Sequence, residues 1–264
     1  MPESPRWLEA KGRYGEANEL LDSIERKVEH YRGAPLPEPE TSRDLSIAGR
    51  PDEQIGVLQG IREIFKGELL RRTLVLWVSV SCLWSTWYLF GLYLPQMFHA
   101  QGLELGSALL AAAIANAAPI PTHLVGAWLL ETWGRKRTIG LYALIALSGV
   151  VIFALADSYI VGVVGASLAF GFMAAAFSFQ KLFGAENYPT TLRGTGTTWN
   201  EAVGRGIAGV AIPFVLSFLL ASGGVLAPSA LVLVLGVIGL FVFLRYAQET
   251  RGMTLEQLEP KRSS

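Results

Sequence analysis

Six apolar stretches, at about residues 73–94, 106–130, 139–156, 160–180, 199–221 and 225–245, alternate with short polar connections along the chain from Thr73 onward. A helix rises about 1.5 Å per residue, so stretches of roughly 20 residues match the ~30 Å hydrocarbon core of a bilayer. Lipid offers no partner for backbone N–H and C=O groups, and helices satisfy their own. The pattern therefore predicts an all-α membrane protein with six transmembrane helices. The polar first part of the chain reads differently. Residues 7–30 predict a solvated helix, in which Leu20, Leu21, Ile24 and Val28 recur at helical spacing among charges. The Pro- and Gly-containing run from Tyr31 to Pro51 reads as an extended linker. A second amphipathic segment, about 52–71, leads through Arg71 and Arg72 into the first span. Three regions follow: a helical segment and linker over 1–71, a six-helix bundle over 72–246 and a tail over 247–264.

Charge orients the bundle. The connections at 96–105, 157–159 and 222–224 contain neither Lys nor Arg, whereas Arg135-Lys136-Arg137, Lys181 with Arg193, and Arg245 with Arg251 mark the other side. Cytoplasmic loops collect positive charge, and an even number of spans returns both termini to one face, so both termini are expected in the cytoplasm. The expected setting is the plasma or inner membrane. Composition agrees: 51% of the 264 residues are hydrophobic, 17% are charged, and mean hydropathy is +0.38. A formal net charge of zero gives no basic face for nucleic acid. One Cys, Cys82, and three scattered His residues give no disulfide framework, metal site or cofactor site. The chain lacks the Gly-rich loop followed by Lys and Ser/Thr that cradles nucleotide phosphates.

Four short motifs carry a resemblance. Pro2-Glu3-Ser4-Pro5-Arg6-Trp7-Leu8 with Gly12-Arg13 is similar to the motif after the sixth span of major facilitator superfamily transporters of the sugar-porter and metabolite:proton-symporter type. Gly126, Leu130-Glu131 and Gly134-Arg135-Lys136-Arg137 resemble that superfamily's loop between spans eight and nine. Glu186 to Gly196 resembles the Glu-x-x-Pro-x-x-x-Arg-Gly motif after the tenth span. Glu249-Thr250-Arg251-Gly252 resembles the Pro-Glu-Thr-Lys-Gly signature after the twelfth, with Gln248 in place of Pro and Arg in place of Lys. Their order around six spans implies the C-terminal half of a twelve-span bundle, built as two inverted three-helix repeats, whose N-terminal six-span half is missing. The resemblance also implies a cytoplasmic gate, here Glu131, Arg135, Lys136, Glu186, Arg193, Glu249 and Arg251, whose ion pairs lock one conformation. The plainer reading of these charges is that they anchor helix ends at the lipid headgroups.

Polar groups at membrane depth mark candidate cavity residues. Glu201 and Arg205 lie one turn apart in the fifth span, spaced to pair on one face; Arg205 is a candidate to hold an anionic solute, and the plainer, favoured reading is that it snorkels toward the interface and pairs with Glu201 in a structural or gating role. In the second span Asn116, Pro119, Pro121 and His123 interrupt an Ala-rich run, and the two prolines remove backbone donors, which points toward a cavity. His123 is titratable near neutrality, and a neutral ring bonded to a carbonyl is its expected state. Trp77, Trp84 and Tyr88 share one face of the first span with Trp87 nearby, and such rings can wall a pocket or simply pack. Gln180 in the fourth span and Trp199 and Asn200 at the start of the fifth join the candidates. The glycines of the fourth and fifth spans, among them Gly165 and Gly204, are expected to let helices approach closely.

The expected function is that of a secondary-transporter half, moving a small organic solute by alternating access without chemistry on it. Proton coupling is implied by the resemblance. The first span lacks the paired glutamines of sugar porters, and Val203-Gly204-Arg205-Gly206-Ile207 resembles bacterial metabolite and aromatic-acid symporters, so organic acids outrank sugars. The expected partners are the solute, membrane lipid and either an N-terminal half or a second copy of the chain. One alternative is a non-transporting membrane remnant or interaction protein, since half a transporter exposes an apolar half-cavity. A remote alternative is an intramembrane serine protease, because Gly165-Ala166-Ser167 resembles a rhomboid Gly-x-Ser; however, His99 and His123 precede the serine and Leu168 stands where Gly should follow.

Overall fold

A computed structural model of the chain describes residues 4–10, 12–36, 56–189, 192–247 and 249. The chain divides into two units, residues 1–56 and 57–264. In the first, α1 (Pro5–Ala10) and α2 (Tyr14–Arg32) pack together with Leu8 and Ala17 buried, and α2 ends at Gly33 in the left-handed conformation. The helix expected over 7–30 is thus two helices, hinged at Gly12, which has φ +74°. Leu21, Ile24 and Val28 stay exposed within this unit.

The second unit is helical throughout its described residues: α3 (Val57–Ile64), α4 (Gly67–Leu92), α5 (Leu94–Ala100), α6 (Leu105–Ala117), α7 (Pro119–Trp133), α8 (Arg135–Ala154), α9 (Tyr159–Glu186), α10 (Arg193–Gly223) and α11 (Leu226–Tyr246). Six helical segments are long and apolar enough to cross a membrane, with α6 and α7 together making the second. The fold is that of an all-α membrane protein with two inverted three-helix repeats, α4, α6–α7 and α8 followed by α9, α10 and α11. Helices overrun the apolar stretches because charged residues do not stop a helix at the membrane surface. α9, at 28 residues, is about 42 Å long, more than the hydrocarbon core. The connection expected at 96–105 contains α5, which starts with Pro95 in its first turn and buries Leu94, Met97 and Phe98. α3 packs on α4 and α10: Gly60 faces Thr195, and the Thr73 hydroxyl donates to the Ile64 carbonyl at 3.0 Å.

α8 and α9 form the most intimate helix pair. Gly149 and Gly165 meet so closely that a Cβ on Gly165 would stand 2.5 Å from the Phe153 amide nitrogen. Such contact between backbones gathers dispersion energy that lipid-facing leucines cannot. Around this seam Phe90, Phe98, Phe153, Ala166 and Ala169 are buried together. The second span is interrupted at Ala118, between α6 and α7, next to the prolines that remove backbone donors. Carbonyls there are taken by side chains of the next turn: the Thr122 hydroxyl lies 3.1 Å from the Pro119 carbonyl and 3.3 Å from that of Ala118, and His123 Nδ1 donates to Pro119 at 2.7 Å, while Thr122 also reaches the Gly171 carbonyl of α9 at 2.8 Å.

Candidate functional site

An open cavity of about 580 Å3 lies between α4, α9 and α10. Its wall is built from Val80 on α4, Gln180 and Lys181 on α9, and Thr197, Asn200, Glu201 and Arg205 on α10. Three of these, Gln180, Asn200 and Arg205, are among the candidates chosen from sequence. Trp84 lies beneath them, buried, with the Arg205 guanidinium 4.7 Å and the Lys181 ammonium 5.8 Å from its ring centroid. Lys181 also stands 4.6 Å over Phe177. A cation over an indole face is held by the ring's quadrupole, worth about 0.5–2 kcal/mol according to how far the pair is desolvated. Phe177, Trp87 and Tyr88 surround Trp84 with ring centroids 4.5, 5.4 and 5.4 Å away.

Glycine makes this arrangement possible. A Cβ on Gly204 would strike both Trp84 Cδ1, at 2.6 Å, and Val80, at 2.7 Å, so the indole packs directly against the α10 backbone at that point. Glu201 sits between the two cations, 2.9 Å from Lys181 through Oε1 and 3.9 Å from Arg205 through Oε2. The Glu201–Arg205 approach is the one its i,i+4 spacing suggests; the shorter pair, with Lys181, comes from another helix. Four buried polar atoms around the cavity have no hydrogen-bond partner: Gln180 Oε1, Asn200 Oδ1, Glu201 Oε2 and Trp84 Nε1. Gln180 Nε2 donates to Ser79, which is itself bonded to the α4 backbone. Polar atoms left unmatched beside a cavity are poised for a ligand that supplies the missing donors and acceptors.

The other candidates lie elsewhere. Trp87, Tyr88, Asn116, His123 and Trp199 do not line this cavity. The Asn116 amide turns back to the Ala112 carbonyl at 2.8 Å, and His123 Nε2 lies 3.0 Å from the Ser178 hydroxyl, which itself reaches the Ala174 carbonyl at 3.1 Å. The polar side chains around the break in the second span bond to Ala112, Pro119 and Ser178, apart from this cavity. Trp77 stacks edge-on with Phe65 at 5.3 Å, away from the Trp84 group. The residues missed from sequence are Lys181 and Glu201 as cavity groups, together with Thr197.

At the charged end of the bundle Arg135, Glu131, Glu186 and Glu249 come together. The Arg135 side chain donates to Glu186 Oε1 at 3.4 Å and to the Leu130 carbonyl at 3.2 Å, and lies 3.8 Å from Glu131. The Glu249 carboxylate receives the backbone amides of Arg135 at 2.9 Å and Lys136 at 3.1 Å, covering the positive N-terminus of α8. Gly134 is needed here twice: its φ is +99°, and a Cβ would lie 2.9 Å from the Glu249 carboxylate. Lys136 joins through its backbone, and Arg193 directs its Nε to the Ala185 carbonyl at 2.9 Å instead of to a carboxylate. Arg251 lies outside the described residues. Near Arg193, Tyr188 is buried against Gly196, and its hydroxyl donates to Thr73 at 3.0 Å. Burial pushes the Tyr188 phenol above its usual pKa and keeps that proton in place. Substituting Glu249→Ala leaves two amides at the head of α8 without this acceptor, so about 1–2 kcal/mol of stability is expected to disappear. Thermal unfolding in detergent checks this, and a Tm unchanged within error contradicts it.

The arrangement suits binding, not catalysis. Ser167 gives its hydroxyl to the Val163 carbonyl at 2.7 Å, and His99 and His123 are bonded to the carbonyls of Leu103 and Pro119, so the protease reading fails for want of a base at the serine. Comparison with known proteins points the same way. A sugar (and other) transporter family model matches residues 1–261. The niacin transporter NiaP of Acinetobacter baylyi is 30% identical over 98% of this chain and 56% of its own length. The putative metabolite transport protein YdjK of Escherichia coli is 28% identical over 97% of this chain and 54% of its own. A crystal structure of a double-tryptophan mutant of XylE superposes with a TM-score of 0.65 at 18% identity, covering 98% of this chain and 54% of that one. The chain spans about half the length of the curated relatives it matches. With its helices, its solute-sized cavity and a family match over nearly its whole length, the chain belongs to the sugar (and other) transporter family of the major facilitator superfamily.

Proposed function

We propose that the chain is the C-terminal half of a secondary active transporter that carries a small organic acid, an aromatic monocarboxylate before a sugar, by alternating access coupled to protons. One observation carries the solute class: two cations, Lys181 and Arg205, stand on the wall of the 580 Å3 cavity, both packed over the buried Trp84 ring behind it. A small carboxylate such as nicotinate suits this wall, its charge meeting the exposed guanidinium of Arg205. The names of two relatives, the niacin transporter NiaP of Acinetobacter baylyi and the putative niacin/nicotinamide transporter NiaP of Bacillus subtilis, include an acid of this class. A second six-span half, separate or from a second copy of the chain, closes the cavity and supplies the remaining contacts. In this reading both termini are cytoplasmic, and the cluster around Arg135 with Lys136, Arg193 and Arg251 belongs to the cytoplasmic gate.

The test is nicotinate binding to the purified chain in lipid nanodiscs, followed by calorimetry. Nicotinate is expected to bind and glucose is not, and Arg205→Ala is expected to weaken nicotinate at least about tenfold, or 1.4 kcal/mol. Glucose binding without nicotinate binding overturns the solute class. Because the chain spans about half of its relatives, a second reading is a non-transporting membrane or interaction protein. Binding of neither solute favours that one.

A further inference from the structure

We propose that Glu201 is an internal counter-ion that occupies the solute's anion position in the empty cavity and must be displaced when an anionic solute binds. The inference rests on the reading of the cavity as an organic-acid site and adds a competitor to it. Three charges meet there, two positive and one negative. Lys181 reaches one oxygen of Glu201 at 2.9 Å, and Arg205 approaches the other at 3.9 Å. That is the position of a bound carboxylate between an ammonium and a guanidinium.

The fit is incomplete in a way that favours exchange. Glu201 Oε2 is buried yet accepts no hydrogen bond, since 3.9 Å is beyond hydrogen-bond reach of the guanidinium. The Arg205 side chain remains 60% exposed, so its planar fork stays open to a second acceptor. Around the carboxylate, α4 contributes only uncharged groups, Val80 and Trp84, α9 contributes Lys181 and Gln180, and α10 contributes Arg205, Asn200 and Thr197. No further cation stands on this wall among the described lining residues, so a solute anion and Glu201 draw on the same two donors.

Competition for the same donors makes an affinity prediction that a scaffold role does not share. While Glu201 holds the cations only a fraction of the cavity is competent for an anion, and removing its charge makes all of it competent. Benzenesulfonate is the probe, a flat anion whose charge does not titrate, with neutral benzenesulfonamide as its control, both in nanodiscs holding the whole chain. Glu201→Gln is expected to tighten benzenesulfonate about tenfold while benzenesulfonamide moves less than about twofold. Glu201→Asp, which keeps the charge, is expected to bind like the parent chain. Glu201→Ala repeats the test should the Gln variant not fold. Unchanged or weaker benzenesulfonate binding in the variant, with loss still seen in Arg205→Ala, overturns the counter-ion and leaves the organic-acid site standing. Failure of benzenesulfonate to bind the parent and every variant overturns both.

Discussion

Gly165→Ala is expected to lower stability by about 3 kcal/mol or more, at the upper end for overpacking, and Gly149→Ala to do the same. The new Cβ at Gly165 would sit 2.5 Å from the Phe153 amide nitrogen and 2.8 Å from its Cα, and one at Gly149 would meet the Ala169 amide and lie 2.8 Å from Leu168 Cβ. Backbone cannot rotate away as a side chain can, so α8 and α9 must separate along their length and lose contact around Phe153, Ala166 and Ala169. Helix propensity works in the opposite direction, since Ala is favoured over Gly by roughly 1 kcal/mol in a helix interior. Gly206→Ala supplies the control, because nothing lies within 4 Å of a Cβ there. That variant is expected to hold or raise Tm. Thermal unfolding in detergent decides, and equal Tm values for Gly165→Ala and Gly206→Ala would show that the seam is looser than its geometry.

The six spans were legible because membrane burial writes itself as long apolar runs, and the interruption at Ala118 because Pro119 and Pro121 cannot donate. What was not legible shares one physical cause: a charged or polar residue in sequence looks like the end of a helix. Lys181 follows Gln180 directly and reads as the first residue of a loop, yet α9 continues to Glu186 and turns Lys181 into the cavity. α4 begins at Gly67, through Glu68, Arg71 and Arg72, for the same reason. α5 is too short to show a period and was read as connection. Within the site, i,i+4 spacing placed Glu201 beside Arg205, because a pair on one helix is a local property. The Lys181–Glu201 pair joins two helices, and nothing in their spacing of 20 positions announces it. Polarity alone marked Asn116 and His123 for the cavity, but a polar side chain in an apolar helix can equally satisfy itself on the preceding turn, as both do. The motif residues around Arg135 were found as a set, while the pairing of Glu249 with backbone amides instead of with a side-chain cation depends on the positive φ of Gly134, which no spacing reveals.

Arg135→Gln is the second large effect, expected to cost about 3 kcal/mol, near the range for removing one partner from a mostly buried ion pair. The Arg135 side chain is 16% exposed and that of Glu186 20%, so water screens the pair only partly. The guanidinium joins three helices at once: it opens α8, bonds the Leu130 carbonyl of α7 and pairs with Glu186 at the end of α9. Arg135→Lys keeps the charge but replaces a planar fork with a single ammonium that cannot hold the carbonyl and the carboxylate in the same geometry, so it is expected to recover less than half of the loss. A double-mutant cycle with Glu186→Gln is expected to give a coupling of at least about 1 kcal/mol, since the two residues touch. These outcomes separate a specific lock from simple anchoring at the headgroups. An anchoring charge needs only its sign and its depth, so under that account Lys restores stability fully and the coupling with Glu186 is close to zero. Full rescue by Lys with no coupling would therefore remove the lock and leave Arg135 as a membrane anchor; partial rescue with coupling shows that Arg135 ties α7, α8 and α9 together.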